Sequence, residues 1–351
     1  MRPGPGNAKI HSPMDKRIPV TLLTGFLGSG KTTLLNKLLR HEDMHDTAVV
    51  INEIGEAGLD HILARTVEDT YIADNTILLG SGCLCCTLRT ELADTLRDLY
   101  FKRALHAIPE FSRLVIETTG LADPGPILAN LLNEPLIGTN YRLDAVVVVV
   151  DGVHGLAQLE EHAEARKQAA VADVLLISKA DLATREQLEA LTQALSALNP
   201  GATQHRMTFG HIDPQSIMNV GLFDADSKKA QPQRWLRAPE RANGVRGTLP
   251  QKIHDDAIAS FTVTLPQPLR WSQLEPALQK LCEHHGTGLL RLKGIVHADD
   301  SPAPLAVHAV QHTLYPPTLL SGWSEDTPSS RVVVIGKRLD EKKIRNLLMQ
   351  I

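Results

Sequence analysis

The stretch that most constrains this chain is IPVTLLTGFLGSGKTTLLNKLLR, residues 18–40. A strand-length apolar run, IPVTLLT (18–24), enters a glycine-rich turn, GFLGSGKT (25–32), and a helical pattern runs from Lys31 to about Arg40. The turn fits G-x-x-x-x-G-K-[ST] and lies between a strand and a helix, where its mechanism requires it. Gly25, Gly28 and Gly30 let the backbone wrap round a phosphate with its N–H groups inward, and the helix N-terminus adds partial positive charge. Lys31 would reach the outer phosphates of a nucleotide, and Thr32 would ligate Mg²⁺.

The next hundred and fifty residues repeat the alternation. Strand-length runs stand at TAVVIN (47–52), TILL (76–79), RLVIET (113–118), DAVVVVVD (144–151) and DVLLIS (173–178). Amphipathic segments such as LRTELADTLRDLYFKRAL and REQLEALTQALSAL lie between them. The near-continuous valines of 144–151 suggest a strand buried on both faces. The expected fold is α/β: a P-loop domain with a mostly parallel sheet flanked by helices.

After Phe209 the pattern breaks. Residues 221–257 are polar, basic and interrupted by Gly and Pro, as in a linker or surface loop. A second pattern starts at ASFTVTL (259–265) and continues through the helix WSQLEPALQKLCEHH. Strands GLLRLKGIV, LAVHAVQHTLYP and RVVVIGKRL follow, and then the short helix DEKKIRNLLMQ. The expected organisation is a flexible tail (1–17), a P-loop domain (18–220), a linker (221–257) and a small α+β domain (258–351).

Composition narrows the setting. The formal net charge of −4 argues against nucleic acid as a partner. No apolar run is long enough to span a membrane, and the N-terminal stretch lacks the apolar core of a secretory signal. Four cysteines in 351 residues do not form a disulfide framework, so a reducing, cytoplasmic compartment is expected.

Two further loops bear on the nucleotide. ISKAD (177–181) follows a strand, as N-K-x-D does in many GTPases. Asp181 would accept two hydrogen bonds from guanine that adenine cannot donate, and Lys179 would lay its stem along the ring. Ser178 stands where Asn is usual. A turn that merely caps the next helix fits the same residues, but its place two strands beyond RLVIETTG favours GTP. In IETTG (116–120), Glu117 would hold Mg²⁺ and the Gly120 N–H would sense the γ-phosphate.

Three of the four cysteines crowd into LLGSGCLCCTL, as Cys83, Cys85 and Cys86. They follow a strand of the same sheet, and ligands bind at strand C-termini in such sheets. Three thiolates do not close a structural zinc tetrahedron, so an open soft-metal site for Zn²⁺ or Cu⁺ is expected, with redox chemistry the weaker reading. Glu53, in NEIGEAGLD (52–60), serves equally as an oxygen donor there or as a group that positions Mg²⁺ or water. Cys282 lies at helical spacing from Leu278 and Leu281 and is expected to be a buried structural thiol. His284 and His285 are read as helix-end residues.

In order, GFLGSGKTT, NEIGEAGLD, GCLCC, ETTGLADP and SKAD resemble the CobW-like family of metal-handling P-loop GTPases. The resemblance runs from about Ile18 to Asp181 and resumes in LLRLKGIV, AVQ, GW and VVVIGKRLD. It implies a slow GTPase that binds zinc at Cys83, Cys85 and Cys86 under control of nucleotide state and passes it to a client metalloprotein. Co²⁺ is the alternative metal, and a homodimer is allowed for. Gly25 to Thr33, Gly120, Ser178, Lys179 and Asp181 would then bind GTP. Thr32 and Glu117 would hold Mg²⁺, and Lys31, Glu53 and Glu117 would serve hydrolysis. The family's histidine-rich inter-domain loop is missing, since residues 221–250 contain no histidine. Competing readings are cobalt handling in corrin assembly, a kinase with a redox-active cysteine loop, and a non-hydrolysing zinc switch.

Overall fold

The computed structural model describes residues 16–52, 77–81, 88–218, 258–320 and 329–351. The expected N-terminal tail (to residue 15), the 221–257 linker, Glu53, Cys83, Cys85 and Cys86 lie outside the described residues.

The first unit is a parallel sheet with helices on both faces. Its strands are β1 (Ile18–Gly25), β2 (Thr47–Asn52), β3 (Ile77–Ser81), β4 (Arg113–Thr118), β5 (Tyr141–Asp151), β6 (Val174–Ser178) and β7 (Thr203–Arg206). They lie in the order β3-β2-β4-β1-β5-β6-β7, every neighbouring pair parallel. The helices are α1 (Lys31–Leu38), α2 (Leu88–Ala104), α3 (Pro124–Asn133), α4 (Pro135–Asn140), α5 (Gly155–Glu161), α6 (Ala163–Val171) and α7 (Arg185–Leu198).

The valines of β5 show why the sheet must be covered twice. Val146, Val148 and Val150 join a core with Leu96, Leu128, Ala169 and Leu191. Val147 and Val149 face the other way, against Leu34, Leu35 and Leu38 of α1. β-branched side chains suit a pleated, enclosed strand, and period-two alternation divides them between two cores. Local signals fix the helix starts. Asp123 caps α3, with Pro124 at its first position, and Thr184 and Gln187 form a reciprocal capping box on α7.

The second unit is an antiparallel sheet of β8 (Ile258–Thr264), β9 (Leu289–Val296), β10 (Leu305–Val310), β11 (Thr313–Leu314), β12 (Thr318–Leu319) and β13 (Arg331–Lys337). Helices α8 (Trp271–His285) and α9 (Glu341–Met349) accompany it. Here one expectation is corrected. LAVHAVQHTLYP is not one strand: Gln311, at φ 49°, turns the chain back so that β11 pairs antiparallel with β10. β7 was likewise not anticipated.

The two units share a core. On β13, Val332 and Val334 pack with Leu274, Leu278 and Leu281 of α8. Val333 and Ile335, with Leu290, Val310 and Tyr315, join the core of the parallel-sheet unit. A charge cluster lies at this junction. The Asp173 carboxylate accepts from Arg291 at 2.5 Å, from Lys293, and from the Val146 N–H at 2.8 Å. All three side chains are buried, at 6%, 3% and 9% exposure for Asp173, Arg291 and Lys293. His308 stacks on Tyr315 beside them, ring centroids 4.4 Å apart.

Burial raises the Asp173 pKa, but Arg291 and Lys293 outweigh it and hold the carboxyl below the ordinary carboxylate range. The folded chain therefore takes up this proton less readily than the unfolded chain. The stability it contributes is complete above about pH 4 and is lost as pH falls. Lys293 is pushed down to about 8, by burial and then Arg291. Asp173→Asn leaves two cations buried without their counter-charge, and we expect a loss of about 3–5 kcal/mol in urea denaturation at neutral pH. The variant should also show a shallower acid limb, and a stability within error of the wild type would refute the cluster's role.

Candidate functional site

The phosphate-loop sequence folds into a ring at the C-terminal end of β1. Gly25, at φ 147°, passes so close to β5 that a Cβ there would lie 2.3 Å from the Val149 carbonyl oxygen. Gly28 and Gly30 also take positive φ, and around Gly28 nothing lies within 4 Å of where a Cβ would be. The loop is thus pinned at its first glycine and open at its crest. The Lys31 ammonium sits inside it, donating to the carbonyls of Gly25 at 2.8 Å and Phe26 at 3.2 Å. Burial lowers the Lys31 pKa, and the Glu117 carboxylate acts in the opposite direction. Ser29 presents a buried hydroxyl with no hydrogen-bond partner among the described residues. A cradle with a buried cation and an unspent hydroxyl fits a phosphate.

The Thr32 hydroxyl donates to Glu117 at 3.0 Å, bringing together residues 85 positions apart. Both are hard oxygen donors, the chemistry Mg²⁺ takes. The loop after β4 presses against the phosphate loop. A Cβ on Gly120 would lie 2.6 Å from the Leu27 side chain and 2.7 Å from its Cα. Two residues earlier, at the end of β4, the Thr118 hydroxyl donates to that of Thr24 at 2.7 Å.

The SKAD loop is tied to the same ring. The buried Ser178 hydroxyl donates to the Ser29 carbonyl at 2.7 Å. It therefore braces one loop against the other. Lys179, at φ 51°, donates to the Gly28 carbonyl at 2.9 Å and to Asp151 at 2.6 Å. Asp181 is exposed beyond them.

Asp151 is a residue that motif reading missed. It closes the valine run of β5 and looks there like an acidic strand end. In the fold its side chain is buried, accepting from the Val153 and His154 N–H groups with one oxygen and from Lys179 with the other. Burial raises its pKa, but these partners, Lys179 foremost, hold it below the usual carboxylate value. Phe26 was also missed; it stacks on His162 at the joint between α5 and α6, centroids 4.5 Å apart.

Among the described residues no three of His, Cys, Asp and Glu gather as a metal site. Cys282 is buried, and burial pushes its thiol up to about 12, so it stays protonated and inert. His284 lies in the last turn of α8, its Nδ1 2.7 Å from the Lys280 carbonyl oxygen.

Asp151→Asn keeps an acceptor for the two N–H groups but removes the charge that holds Lys179. We expect guanine-nucleotide affinity to fall by about tenfold or more, the scale of a charged hydrogen bond. Titration with a fluorescent GDP checks this, and an unchanged Kd would show that Lys179 needs no such support.

Residues 19–206 match the CobW/HypB/UreG nucleotide-binding domain, and residues 258–351 match the cobalamin synthesis protein CobW C-terminal domain. The chain is 34% identical over 332 residues to the zinc chaperone YjiA of Escherichia coli, covering 93% of this chain and 96% of that one. It is 29% identical to the zinc chaperone CobW of Pseudomonas aeruginosa, covering 95% and 91%. The crystal structure of Zn(II)-bound YjiA GTPase from E. coli superposes with a TM-score of 0.69 at 31% identity, covering 94% of this chain and 98% of that one. No helix among the described residues is long and apolar enough to cross a membrane. The chain belongs to the CobW/HypB/UreG family of P-loop GTPases.

Proposed function

We propose that this protein is a GTP-hydrolysing metallochaperone. It would hold zinc at Cys83, Cys85 and Cys86 and pass it to a client metalloprotein under control of nucleotide state. One observation carries the reading. β3 ends at Ser81, two residues before Cys83, at the same edge of the parallel sheet where β1, β4, β5 and β6 also end. A loop that leaves that end of the sheet starts on the same side as the nucleotide loops, separated from β1 by two strands. The relatives' names, zinc chaperone in both cases, favour zinc over cobalt.

Each residue then has a task. The N–H groups of the 25–33 loop and the Lys31 ammonium bind the phosphates and offset charge that grows on them during transfer. Thr32 and Glu117 would hold Mg²⁺, which would supply positive charge to neutralise the phosphates. Gly120, packed on Leu27, lies where its loop feels the terminal phosphate. Glu53, next after β2, is the sequence candidate for orienting water. Ser178 and Asp151 position Lys179, and Asp181 reads the base.

Base reading has a direct test. Asp181→Asn replaces one acceptor with a donor, which suits the extra carbonyl of xanthine and not the amine of guanine. We expect GTP affinity to fall and xanthosine triphosphate affinity to rise, measured by competition against a fluorescent nucleotide. Unchanged preference would remove Asp181 from the base site.

Zinc is tested by chelator competition in GDP and in a non-hydrolysable GTP analogue. The wild type is expected to bind zinc with affinities that differ between the two states by about 5- to 150-fold. The Cys83/Cys85/Cys86→Ala variant should lose the site. Equal affinities in the two states would sink nucleotide control, and full zinc binding by the variant would move the site elsewhere.

A further inference from the structure

The loop after β4 is gripped from two sides. From α6, the buried Gln168 side chain donates to the carbonyls of Gly120 at 3.1 Å and Ala122 at 3.0 Å. Its neighbour Lys167 donates to Asp123 at 2.9 Å, and Asp123 caps α3 by accepting from the Gly125 N–H at 3.0 Å. The loop therefore does not hang free between phosphate ring and helix. It is attached at its start, middle and end.

The second side is the C-terminal unit. Gly125, in the first turn of α3, lies directly under the Gln311 side chain. A Cβ on Gly125 would meet the Gln311 amide at 2.1 to 2.4 Å. Gln311 is the residue with φ 49° that turns β10 into β11. The next residue, His312, sits equally tightly on Gly286 at the end of α8, where a Cβ would lie 2.1 Å from its ring. The turn is thus wedged between the N-terminus of α3 and the C-terminus of α8. Its far side is anchored, because α6 leads into Asp173, which binds Arg291 and Lys293 of β9.

The geometry points to the β10–β11 turn, through Gln311 on Gly125, as the contact by which the C-terminal unit reads nucleotide state. The inference rests on guanine-nucleotide binding at the phosphate loop. Gly120 meets Leu27 at one end of the segment and Gly125 meets Gln311 at the other, with four residues between the two contacts. A change in the Gly120 loop is carried to the α3 N-terminus by the cap and the Lys167 and Gln168 bonds, and from there to the turn and α8. By linkage, whatever engages the turn must also change the relative affinity for GTP and GDP.

The test is hydrogen exchange on the full chain, with GDP and with a non-hydrolysable GTP analogue, following peptides over 118–126 and 305–316. Both peptides are expected to exchange at different rates in the two states. In Gln311→Ala the 305–316 response should vanish while the 118–126 response remains. Gly125→Ala should displace Gln311 and shift the GTP-to-GDP affinity ratio by about 2- to 30-fold. In the Gln311→Ala background Gly125→Ala should have no further effect, so the double variant should match Gln311→Ala in that ratio. A 118–126 response with no change at 305–316 overturns the inference and leaves nucleotide binding intact, as does a response that survives in Gln311→Ala. Failure of either nucleotide to bind removes the nucleotide reading itself, and this inference with it.

Discussion

A β-strand enclosed on both faces has no side chain to spare for chemistry until it ends. β5 is the extreme case here, with Tyr141 at its start, five valines at 146–150 and Asp151 at its last position. Because all neighbours in the sheet are parallel, the strand ends gather on one edge. The candidate site groups come from there: Gly25 and its loop, Glu117, Asp151 and Ser178. The site is assembled by strand direction before any individual contact is made. Contacts between loops then fix it. Thr32 meets Glu117, Ser178 meets Ser29, and Lys179 joins Gly28 to Asp151.

Charge placement separates the two buried ion clusters. At the phosphate loop, burial lowers the Lys31 pKa, and among the described residues Glu117 opposes it. A site left short of negative charge is ready for an anion. At the junction, one carboxylate faces Arg291 and Lys293 with the Val146 N–H as a third donor. In that cluster the carboxylate is already matched to buried cations from the other unit, and its cost in desolvation is offset only when the two units hold these partners together. The charge balance of the first cluster suits an anion, and that of the second suits holding the two units in one orientation.

What the sequence disclosed follows the range of the forces involved. The phosphate loop and its strand were readable because turn geometry, glycine placement and helix start all act within a dozen residues. The valine runs were readable because double-sided burial leaves a composition signature. β7, Thr203–Arg206, was not, since TQHR is polar and none of the four is fully buried. The hairpin at Gln311 was hidden because the positive φ is taken by a glutamine, with no Gly or Asn to announce it. Asp151, Gln168 and Gln311 act through partners between 28 and 186 residues away, so no local pattern could mark them. The family resemblance reached the motifs and not these braces.

The two glycines of the ETTGLADPG segment explain why such braces matter. At an ordinary position a side chain absorbs a small displacement by changing rotamer. At Gly120 the backbone itself lies against Leu27, and at Gly125 it lies against Gln311. Close-packed contacts of this kind do not compress, so a shift at one end must appear at the other or be blocked there. Gln168 and Lys167 prevent the segment from buckling outward between them. A segment stiff along its length and free of side-chain cushions at both ends transmits position rather than dissipating it. That property lets the C-terminal unit respond to the state of the phosphate loop.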